Sequence, residues 1–75
     1  MNAAPTIPAA RAAALADMLA WGRQKWRAHL TAYGAARVAG DRAAIFAALD
    51  GAALMAGWIA ATKRMARTDN TGRTV

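Results

Sequence analysis

Along the first half of the chain Leu15, Leu19, Gly22, Trp26, His29 and Tyr33 follow one another at spacings of four, three, four, three and four residues, with Met18 and Leu30 beside that line. A helix turns once in 3.6 residues, so this pattern keeps one apolar stripe turned toward a neighbouring helix. Residues 9–33 contain no proline and no glycine other than Gly22, and they are rich in Ala, Leu, Met, Arg and Gln, all strong helix formers. Upstream, Pro5 and Pro8 hold residues 1–7 as an extended arm, with Thr6 placed to cap a helix that has Pro8 in its first turn. The pattern predicts a first helix over about residues 8–39. Gly22 leaves a gap in the stripe that Trp26 or Trp58 is large enough to fill.

Gly40-Asp41 predicts the break between elements: glycine suits the left-handed residue after a helix end, and aspartate caps the helix that follows. A second helix is expected over about 41–67, with Lys63, Arg64 and Arg67 near its end, where cations complement the helix dipole. Residues 68–75 read as a flexible polar tail, leaving 8–67 as a single helical domain. The second helix carries two apolar lines. Ile45, Leu49, Ala52, Ala56 and Ile59 form one, expected to meet the first helix; Leu54, Trp58, Ala61 and Met65 form another on roughly the opposite side. A single neighbour covers only one of them. The fold class that follows is an all-α helical hairpin, two long helices or three if Asp50-Gly51 breaks the second, completed by self-association or by docking on a larger protein. The simplest closed arrangement is a homodimer of hairpins, an antiparallel four-helix bundle.

Composition narrows the chemistry. The chain has 75 residues, of which 24 are Ala, and it contains no Cys, Ser or Glu. So short a chain has room for one thin core. A lone His29 without cysteine builds neither a zinc site nor a disulfide framework. Without a Ser or Cys nucleophile, a glycine-rich phosphate loop or adjacent carboxylates, the expectation is a non-enzyme with no catalytic residues, cofactor or metal. The formal charge of +6 favours acidic partners, whether nucleic acid, anionic lipid or an acidic protein surface. The first residues lack the basic start of a secretory signal, which makes a cytoplasmic location the expectation.

Three functional readings follow. The leading one is a small basic helical module, binding or regulatory, that acts by protein–protein interaction. Its contact residues are expected to be Trp21, Arg23, Lys25 and Arg27 on the first helix and Leu54, Trp58 and Met65 on the second. The second is a single-pass membrane protein, because residues 43–62 carry one charge, Asp50, and are followed by Lys63-Arg64. An ionised carboxylate near the middle of a span costs about 2.5 to 3.5 kcal/mol and weighs against that reading. The third is non-specific nucleic-acid binding through Trp21-Gly22-Arg23-Gln24-Lys25-Trp26-Arg27, where aromatic and basic residues interleave. Asp50 itself is expected to face solvent or to pair with Arg23, Arg27 or Arg64. His29, on the first stripe, is expected to be a packed residue rather than a ligand.

Overall fold

The computed structural model describes residues 7–73, with side chains from Pro8 to Asp69. Two α-helices account for them: α1 over Ile7–Ala39 and α2 over Arg42–Arg73, packed antiparallel as a hairpin. The arm expected over 1–7 lies outside the described residues except for Ile7, which already belongs to α1. The break falls where the sequence places it. Gly40 has a φ of 70°. Its N–H donates to the carbonyl of Arg37 at 3.2 Å, and the N–H of Asp41 donates to Ala36 at 3.0 Å, which closes the end of α1 with the paired bonds of a glycine-terminated helix. Asp41 then starts α2: its Oδ1 accepts from the N–H of Ala44 at 3.1 Å, and its carbonyl accepts from Ile45 at 2.9 Å.

The buried line of α1 runs through Leu15, Gly22 and Ala36, with Leu19, His29 and Tyr33 half-buried between them; this follows the expected stripe except at Trp26, which is exposed at the groove edge while Gly22 receives the ring of Trp58 instead. On α2 the contact line is Ile45, Ala48, Ala52, Met55, Ile59, Thr62 and Ala66. This corrects the expected line at two positions, since Leu49 and Ala56 are exposed and Ala48 and Met55 take their places. The reason is the rotation of α2 about its axis. Turning Leu49 and Ala56 inward would also carry Lys63, seven residues after Ala56, toward α1, where its ammonium would lose water. The observed rotation brings Trp58 inward instead, onto Gly22.

Two glycines set the distance between the helices. A Cβ on Gly22 would stand 2.6 Å from Trp58 Cδ1, and a Cβ on Gly51 would overlap the imidazole of His29. Each helix thus offers a bare backbone to a ring from the other. That exchange explains why Asp50-Gly51 does not break α2: the roughly 1 kcal/mol that glycine costs in a helix is offset by the close packing it admits. The described residues form two helices, not three.

α2 also runs beyond its expected end, to Arg73, so residues 68–73 are helical rather than a loose tail. Thr68 returns its hydroxyl to the carbonyl of Arg64 at 3.0 Å, and Asp69 is held by the guanidinium of Arg11 across the open end of the hairpin. The most buried side chain described is Thr62, 2% exposed, whose hydroxyl donates to the carbonyl of Trp58 at 2.8 Å. The Cα atoms span 55 Å in the longest direction and 12 Å in the shortest. In so thin a layer both broad faces of each helix stay near solvent.

Candidate functional site

The residues from Trp21 to Arg27 form a single run in the sequence, but successive helix positions differ by about 100°, so the hairpin divides the run between its two edges. One edge takes Trp21 and Lys25. The Trp21 ring meets that of Trp58 edge to face, with centroids 5.4 Å apart and planes at 64°. The Lys25 ammonium sits 5.9 Å above the Trp21 ring. Trp58 reaches this position because Gly22 has no side chain: its indole N–H donates to the carbonyl of Met18 at 3.2 Å. Trp58, expected on the line facing away from α1, therefore contributes to the hairpin itself and leaves one flank exposed beside Trp21.

The opposite edge takes Arg23, Trp26 and Arg27. With Ala56, Ile59 and Lys63 of α2 they line a groove of about 480 Å³ whose floor is apolar. Three cations around such a floor suit a ligand with an anionic group and an apolar or aromatic body. A second groove, also lined by Lys63 and including Leu15, Leu19 and Arg67, continues toward the open end of the hairpin. Lys63 joins this edge although the sequence does not mark it as a contact residue, and Trp26, expected on the stripe facing α2, joins it too. Lys63 was legible only as a helix-end cation, because its place beside Arg23 depends on the rotation of α2.

The broad outer faces of the helices differ in chemistry. On α1 the exposed residues opposite the buried line include Asp17, Gln24 and Thr31. On α2 they are Phe46, Asp50, Ala53, Leu54, Gly57, Ala60 and Arg64. Leu54 is 73% exposed and Phe46 57%. Met65 is also exposed, near the edge that carries Trp58. Asp50 faces solvent, which answers for the single chain the question its position in an apolar stretch raises. Of the expected contact residues, then, Trp21, Lys25 and Trp58 are brought together, Arg23 and Arg27 lie on the other edge, and Leu54 and Met65 stay uncovered.

Fold and surface together define the class: an all-α hairpin whose second helix leaves Phe46, Leu54 and Met65 uncovered. The chain matches no family model, no curated protein and no solved structure.

Proposed function

We propose that this chain is a non-enzymatic helical binding module that acts by protein–protein association, completing on a partner the core that a hairpin leaves unfinished. The observation that carries this reading is the uncovered apolar side of α2, with Phe46 and Leu54 at its flanks. Sedimentation of the purified protein without detergent, at several concentrations and two salt levels, tests the reading. The expected result is a soluble species that self-associates, or that gains a partner when one is supplied. A soluble monomer that gains none, even with Phe46 and Leu54 intact, overturns it.

The second reading, a membrane helix, is supported by α2 alone, which is long and apolar enough over Arg42–Asp69 to cross a bilayer and has 17% of its most apolar stretch buried in the hairpin. Partition into detergent, with no soluble protein in its absence, is the result that would favour it.

A further inference from the structure

The outer side of α2 has an internal order that the exposed apolar area alone does not convey. Phe46, Asp50, Ala53, Gly57, Ala60 and Arg64 recur at spacings of four, three, four, three and four, the same rhythm as the line that packs on α1 but turned to the opposite side of the helix. All six are exposed. Gly57 stands at the centre, and a Cβ built there would meet nothing within 4 Å, so the backbone of α2 is bare at that point. Asp50 lies seven residues before Gly57 and Arg64 seven after it. Seven residues are close to two helical turns, about 10 Å along the axis, so the two charges share the face of Gly57 at equal distances from it.

From this symmetry we infer that the outer side of α2 binds a second copy of itself, the two α2 helices crossing antiparallel with Gly57 on the two-fold axis. In that register a residue a given number of positions before Gly57 meets the residue the same number after it in the second copy. Asp50 then faces the second copy's Arg64, and the pairing occurs twice because the interface is isologous. Leu54 meets Ala60, and Ala53 meets Ala61, so small residues near the axis let the backbones approach while the larger side chains cover the flanks. A parallel pairing would set Asp50 against Asp50 and Arg64 against Arg64. Charge therefore selects the antiparallel orientation.

The charge distribution permits this contact despite the net +6. Between Phe46 and Thr62 the outer side carries only Asp50, whereas Arg23, Arg27 and Lys63 are gathered at the groove edge. Because the new line lies opposite the hairpin seam, α2 becomes the inner helix of the pair and is covered from both sides. The polar outer side of α1, with Gln24 and Thr31, stays in water. The hairpins thus meet back to back through α2 instead of closing a square bundle.

This inference rests on the proposed association and names its partner. Its test measures the dimer dissociation constant for the wild type, Asp50→Arg, Arg64→Asp and the double reversal, with circular dichroism confirming that each remains helical. Each single reversal places like charges together twice and is expected to weaken the dimer about tenfold or more, while the double reversal restores it. Since the chain has no cysteine, Gly57→Cys supplies an independent readout: under mild oxidation it should link as a dimer far faster than Val38→Cys, whose site is 93% exposed but off the axis. A dimer that ignores both reversals, with Cys introduced at 57 linking no faster than at 38, overturns the register and leaves self-association standing. A monomer at every concentration overturns the second copy as occupant, and binding to a different protein would then be what remains of the proposed function.

Discussion

Gly22 and Gly51 look like helix weaknesses in the sequence and act as packing sites in the hairpin. Their response to alanine separates the two descriptions. Where glycine is merely tolerated, alanine stabilises a helix by roughly 0.5 to 1 kcal/mol, and Gly34, exposed with nothing near a built Cβ, should behave that way. At Gly22 the added methyl meets the Trp58 ring, so Gly22→Ala is expected to lose about 1 to 2 kcal/mol net and to push the indole off the Met18 carbonyl. Thermal unfolding of the two variants checks the opposite signs, and Trp58 fluorescence checks the displacement. The sequence brought Gly22 onto the stripe and named Trp26 and Trp58 as rings that suit it. Trp26 sits one turn along the same helix, on the groove side. The facing helix supplies Trp58.

At the scale of the element, the connection between the helices is the part most completely written into local sequence. Gly40 at positive φ and Asp41 at the cap are both short-range choices that need no partner from elsewhere in the chain. Asp41→Ala should cost about 1 kcal/mol by leaving the N–H of Ala44 without its acceptor. Gly40→Ala should cost a similar amount, about 1 kcal/mol, because a left-handed residue with a Cβ is strained. Urea unfolding followed by far-ultraviolet circular dichroism measures both. The far end of α2 is the opposite case. Residues 68–73 are polar and have little intrinsic reason to be helical, and the contact that ties them down joins Arg11 to Asp69, residues 58 positions apart. Asp69→Asn should therefore speed amide exchange in the last two turns of α2, and added salt should bring the wild type toward the variant. Window-by-window reading of the sequence has no access to such a contact.

For the whole molecule, the consequence of two apolar lines on one helix is an unfinished core. Phe46→Asp introduces a charge on the outer side of α2, away from α1, so the monomer should keep its helicity and its melting behaviour at low concentration. The same variant should abolish association, read as a fall to monomer mass in sedimentation across the range where the wild type is larger. Loss of helicity together with association would instead mean that this face supports the hairpin itself. A change at Trp58 does not make that distinction cleanly, since its ring packs on Gly22 and its flank lies on the exposed edge.

The amino-acid sequence alone determined that this chain is helical with a break at Gly40-Asp41, because helix propensity, capping and the four-three rhythm are properties of neighbours within a few residues; that α2 continues through Gly51 was left to the packing of His29 against it. It also showed that α2 has more apolar surface than one partner helix covers, because that too is a count along a single helix. Tertiary structure decided how α2 is rotated, since that choice weighs Trp58 against Lys63 at a distance from either. From the rotation follow the burial of Met55 and Thr62, the place of Lys63 beside Arg23, and the outward direction of the line through Gly57. Those properties depend on which residues of two distant segments meet, and only the folded hairpin brings those segments together.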